Sequence, residues 1–188
     1  NNAGSYDRID KAASQNEFSS QWNHWAFTKN CSTGEMKMYL NGVLWHSGNN
    51  KTAPIDIQEI KLGSNGKGTG YFWDGKIKEL RIFNKELDNI TINNWMNIRI
   101  NATHPDYSNL VAHYPLNEGI GLSANDNSPN NQVADFNGNV LWESTRGELI
   151  SQFFSPTNFR PHINIFQGDY STTTTTITVL DSLLAAPN

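Results

Sequence analysis

From Trp22 onward, apolar and polar positions alternate in short runs separated by turn residues, the period of half-buried strands rather than of helices. Trp22 to Lys29, WNHWAFTK, interleaves aromatic residues with small and polar ones and predicts a strand. Met36 to Leu40 and Val43 to Ser47 flank Asn41-Gly42. An Asn-Gly pair between two alternating runs predicts a hairpin with a type I′ turn, which needs positive φ at both central positions. Ile55 to Leu62, IDIQEIKL, predicts one further strand. A glycine-rich loop then leads through Tyr71, Phe72 and Trp73 into an Asp74-Gly75 turn.

After that turn, Ile77, Glu79, Arg81 and Phe83 fall on one side of an extended chain and Lys78, Leu80 and Ile82 on the other. Apolar residues on both faces predict a strand covered on both sides. Asp88 is placed to cap a short helix whose Ile92, Trp95 and Met96 share a face. Ile98 to Ser108 reads as a linker. Beyond it, Leu110 to Leu116 predicts a strand, followed by a long Asn/Gly/Ser loop and by ADFNGNVLW. Phe159 to Gly168 and Thr172 to Leu180 predict two more strands, the second rich in β-branched residues. The predicted fold is all-β: an antiparallel β-sandwich (jelly roll) with one short helix over residues 1–100, and a second, small β unit over 105–188.

Four segments carry a family resemblance. WNHWAFTK resembles a W-x-H-V-A-x-T strand, MKMYLNGVL a K-x-Y-x-N-G-x-x hairpin, and IQEIKLGSNG a strand entering a glycine-rich loop. YFWDGKIKELRIFNKEL resembles an F-x-G-x-I-D-E-V-R-I-Y-N-R-x-L strand. In this order they resemble the LamG-like branch of the concanavalin A-like lectin/glucanase jelly rolls, over Trp22 to Met96. Lys78 stands where that pattern has an acidic residue. The opening strands of the pattern do not precede Trp22, so either the chain is truncated or strands from elsewhere complete the sandwich. The later segment, with YPLNEGIG and Asp126-Asn127-Ser128, resembles a LamG-like opening. In its arrangement it is similar to a small domain trailing LamG-like domains in Bacteroidetes surface lipoproteins. The resemblance implies a lipoprotein setting, extracellular or at the outer-membrane surface.

Composition narrows the function classes. A net charge of -4 and the lack of any basic run argue against nucleic acid as a partner. The charged fraction of 17% is low, and neutral polar residues take its place, which suits a turn-rich β surface. Cys31 is the single cysteine, so no internal disulfide framework is available. The sequence around it, KNCST, lacks the small, apolar approach of a lipoprotein signal, so the chain is expected to begin as a mature protein or a fragment.

Retaining glycoside hydrolases need two carboxylates roughly 5 Å apart. The nearest local pattern is Glu86-Leu87-Asp88 with Thr91 in the last place, at a strand-helix junction, where Glu86 reads as solvated and Asp88 as a cap. Gly63, Gly66, Gly68 and Gly70 open no helix and precede no Gly-Lys-Ser/Thr triplet, so no phosphate loop is indicated. The histidines are scattered, and His24 reads as a hydrogen-bonded structural residue. Calcium is the cofactor the resemblance implies, with Asp74 and Asp126 (beside Asn125 and Asn127) as candidate oxygen donors. Trp45, Tyr71 and Trp73, with Asp74 beside them, are the candidate ligand-binding residues. A pyranose has an apolar face that stacks on an aromatic ring, while polar neighbours bond its hydroxyls. Trp22 and Trp25, in the first strand, read as core.

Three functions fit these features. The leading expectation is a non-catalytic surface module that binds a polysaccharide or glycan, or is adhesive. The second is an accessory lipoprotein subunit of an outer-membrane nutrient-import complex. The third is a truncated glycoside hydrolase.

Overall fold

The computed structural model describes residues 7–19, 21–57, 59–65, 70–138, 140–142, 162–165, 170–172 and 174–182. The first strands follow the alternating runs: β1 (Trp22–Asn30), β2 (Glu35–Leu40) and β3 (Val43–Gly48). The β2–β3 turn has φ of 50° at Asn41 and 77° at Gly42, the two positive values a type I′ turn requires. Asn41 also anchors the turn to β1: its Oδ1 accepts the His24 amide at 2.8 Å and its own amide donates to the His24 carbonyl at 2.8 Å.

Ile55 to Leu62 is not one strand. It divides into β4 (Ile55–Ile57) and β5 (Ile60–Leu62), which pair in different sheets. β6 (Lys76–Phe83) follows the glycine-rich loop, and α1 (Asn89–Trp95) follows β6. Asp88 caps α1, its carboxylate accepting the Thr91 amide at 2.7 Å. The remaining strands are β7 (Leu110–Tyr114), β8 (Ser123–Ala124), β9 (Ala134–Asn137), β10 (His162–Ile165), β11 (Tyr170–Thr172) and β12 (Thr174–Ser182).

Every strand pairing among the described residues is antiparallel. One sheet has the order β3-β2-β1-β12-β6-β7, a second β5-β10-β9-β8, and β11 and β4 form a two-stranded ribbon. The pairing crosses the boundary expected between residues 100 and 105: β7 adds to β6, and β12 lies between β1 and β6. Strands after residue 105 therefore complete the sheet begun at Trp22, and the two stretches share sheets instead of forming separate ones. The predicted strand over Phe159 to Gly168 is described only at β10.

Within the six-stranded sheet, β6 and β7 are buried on both faces. On one, Leu80, Ile82, Ala112 and Tyr114 meet Ala124 and Ala134, with Ile60, Leu62 and Phe136 from the second sheet packed against them. This is the sandwich interior. On the other face, Ala26, Tyr39 and Phe83 meet Leu87 and Ile92 at α1 and Ile100 and Leu110 beyond it. Burying each such large aliphatic side chain contributes about 2 kcal/mol. The strict parity expected for β6 fails at Glu79, a non-glycine residue with φ of 55° at a break in the β6–β12 register. The bulge reverses the alternation, so Ile77 packs with Leu80 and Ile82 rather than beside Phe83.

Candidate functional site

The loop from β5 to β6 is closed by two backbone bonds: the Trp73 amide donates to the Gly63 carbonyl at 2.8 Å, and the Asn65 amide to the Gly70 carbonyl at 2.9 Å. Tyr71 lies just inside this stem. Its φ is 53° and its side chain is 91% exposed. A bulky residue in left-handed conformation costs about 1–3 kcal/mol and persists only where its surroundings over-determine it. Trp73, two residues on, is half-buried, and its indole Nε1 is buried without a partner among the described residues. Asp74 is exposed. The segment thus exposes the Tyr71 ring and Asp74 and half-buries Trp73.

Trp45 belongs to a different structure. A register break in the β2–β3 ladder lies between Met38 and Tyr39, opposite it. The Trp45 ring meets Trp25 edge-on at 5.1 Å, its Nε1 donates to Glu17 Oε1 at 2.6 Å, and Lys11 Nζ sits 4.2 Å above it. Lys11 also donates to the Trp45 carbonyl at 2.9 Å. Trp45 is therefore the clasp that holds the segment before β1 against the sheet. Bonds from the Ser14 amide and hydroxyl and from Trp45 hold Glu17 down at about 2. No ring contact joins Trp45 to Tyr71 or Trp73 among the described residues. Trp22, expected in the core, is 44% exposed, with Lys78 Nζ 4.2 Å above its ring. Trp25, by contrast, is half-buried and stacks on Phe27 at 6.2 Å.

The candidate carboxylates have internal partners. Glu86 is not simply solvated: it accepts from Asn30 Nδ2 at 3.0 Å and Lys37 Nζ at 3.3 Å. Asp126 is buried, and its oxygens accept the amides of His113, Ser128 and Gln132 and the Ser128 hydroxyl. As a calcium donor it would have to give up these bonds, so it does not fit that role; it clamps its own loop. Asp74 keeps an exposed carboxylate, one oxygen donor group where calcium takes roughly six to eight oxygens.

Sequence reading missed a buried polar cluster between β6 and α1. Arg81, 4% exposed, donates to the carbonyls of Trp95 at 2.8 Å and Ile98 at 2.7 Å and pairs with Glu79 Oε2 at 3.0 Å. The same Glu79 oxygen lies 3.1 Å from His113 Nε2. Burial pushes Glu79 up, but His113 and Arg81 outweigh it and hold the carboxyl below its ordinary value. The only sequence signal for the cluster is an Arg and a Glu on the same side of a strand with two apolar faces.

Residues 1–93 match the model of the concanavalin A-like lectin/glucanases superfamily. That name spans sugar binders and sugar hydrolases, and the antiparallel sandwich, with a single short α-helix among the described residues, is of this jelly-roll kind. The match ends within α1, so it covers β1 to β6, the Tyr71 loop and the Trp45 clasp. No curated protein matches the chain, and no solved structure does.

Proposed function

We propose that this chain is a non-catalytic binding module of the cell surface, that its ligand is carbohydrate, and that Tyr71 and Asp74 make the contact with Trp73 as their support. One observation carries the reading. Tyr71 is held in a costly backbone conformation, between two loop-closing bonds, with its ring almost wholly in solvent. An exposed ring with a carboxylate three residues on suits a pyranose, whose apolar face stacks while its hydroxyls bond. The internal bonds of Glu86 and Asp88 support the non-catalytic half of the reading. The test is calorimetry against a panel of soluble polysaccharides, with and without calcium, alongside an assay for released reducing ends. Binding without release is the expected result. Release lost in Glu86→Gln would favour a truncated glycoside hydrolase.

A second reading, an accessory subunit of an outer-membrane nutrient importer, is favoured by one feature. Val43 and Leu44 are 68% and 51% exposed on β3, an edge strand. Tight co-purification with a membrane protein, combined with no glycan binding, would select it.

A further inference from the structure

A cavity of about 10 Å³ lies between α1 and the sheet, bounded by Arg81 and Phe83 on β6, Thr91 and Trp95 on α1, and His24 and His104. Two of these lining side chains carry a buried polar atom without a partner among the described residues. Arg81 has five N–H donors, and those on Nη1 and Nη2 reach Trp95, Ile98 and Glu79; Nε is buried with no acceptor among the described residues. The His24 ring is 4% exposed, and its Nδ1 is likewise unpartnered. The orphans are complementary, since Nε can only donate and a neutral imidazole has one nitrogen that can only accept.

We propose that this cavity is a binding site for one water molecule, which accepts the Nε–H of Arg81 and donates to Nδ1 of His24. Its size is that of a single water. Burial, and then the charge of Arg81, hold the His24 pKa at about 4, so the ring is neutral near pH 7 and retains an acceptor. Leaving either group unmet inside the protein is destabilising, and one bridging water meets both. The water ties the Arg81 anchor of α1 to β1, and through the His24 backbone to the Asn41 turn.

The test is a crystal structure of the chain beside that of His24→Leu. The expected result is one water peak within roughly 2.7–3.2 Å of both nitrogens, lost when His24 is replaced. A cavity without density, a protein acceptor bonded to Nε, or a peak that persists unchanged in His24→Leu would overturn the proposal. If the variant fails to fold, nitrogen-15 spectra of the wild-type ring decide. An unprotonated Nδ1 upholds the assignment, and a protonated Nδ1 overturns it.

Discussion

Arg81 Nη1 donates to the carbonyl of Trp95 at 2.8 Å, so a buried side chain of β6 closes the carboxyl end of α1. The last carbonyls of a helix lack partners within it and carry partial negative charge, and a guanidinium meets both needs. Arg81→Met should destabilise the fold by about 3–5 kcal/mol, because it also leaves Glu79 partly buried beside only His113. Urea unfolding of the two proteins measures this. An unchanged midpoint would mean that α1 is held by its apolar contacts alone.

The opposite end of α1 predicts a smaller effect. Asp88→Ala removes the bond to the Thr91 amide and should cost about 1 kcal/mol in the same assay. A loss as large as that of Arg81→Met would contradict the division of labour between the two caps.

Acid should weaken the fold through His24. Its pKa falls from 6.5 in the unfolded chain to about 4 in the folded one, chiefly by burial and then by the charge of Arg81. As pH falls, the unfolded chain takes up the proton first, so this stability is fully present above about 6.5 and is lost toward 4. His104 faces the same cavity and is also lowered, chiefly by burial, which acts in the same direction. Glu79, with its carboxyl held low, and the permanent charge of Arg81 are the other groups of the cluster; Glu79 weakens the fold only as pH falls through the carboxylate range. Between about pH 7 and pH 5 the His24 contribution should fall by about 2 kcal/mol. Denaturation of wild type and His24→Leu at both values isolates it, and parallel pH dependence in the two would refute it.

The Asn41-Gly42 turn offers a steric test. Gly42 has φ of 77°, and a Cβ there would lie 3.0 Å from Asn93 Oδ1 and 3.3 Å from Met96 Sδ. Gly42→Val adds both strain and crowding against α1, and should cost about 2–3 kcal/mol or more. A thermal melt equal to wild type would mean that the turn relaxes to another type without loss.

These cases show why some elements were legible in the sequence and others were not. The hairpin at Asn41-Gly42 and the cap at Asp88 depend on neighbours in sequence, so local chemistry predicts them. The place of β12 between β1 and β6 depends on a pairing of Trp22 with Ser182, which no local signal encodes. Ile55 to Leu62 alternates like one strand, yet β4 pairs with β11 and β5 with β10, partners that lie beyond residue 160. At the candidate site, Tyr71, Trp73 and Asp74 are candidates because turn-proximal aromatics in a glycine-rich loop stand out. Trp45 has the same local signature but is claimed by Trp25, Glu17 and Lys11, two of which precede β1. The Arg81 cluster escaped because two of its acceptors, the carbonyls of Trp95 and Ile98, are backbone groups that composition does not reveal.

We propose the exposed Tyr71 ring as a sugar platform. Calorimetric titration of the wild type and Tyr71→Ala with a polysaccharide found to bind the wild type tests it most directly. Stacking on one ring is worth about 1 kcal/mol, so Tyr71→Ala should bind at least about fivefold more weakly. Its melting temperature should stay unchanged, since the side chain is 91% exposed. Equal affinity in the two proteins, or a wild type that binds no polysaccharide, would rule out a sugar platform at Tyr71.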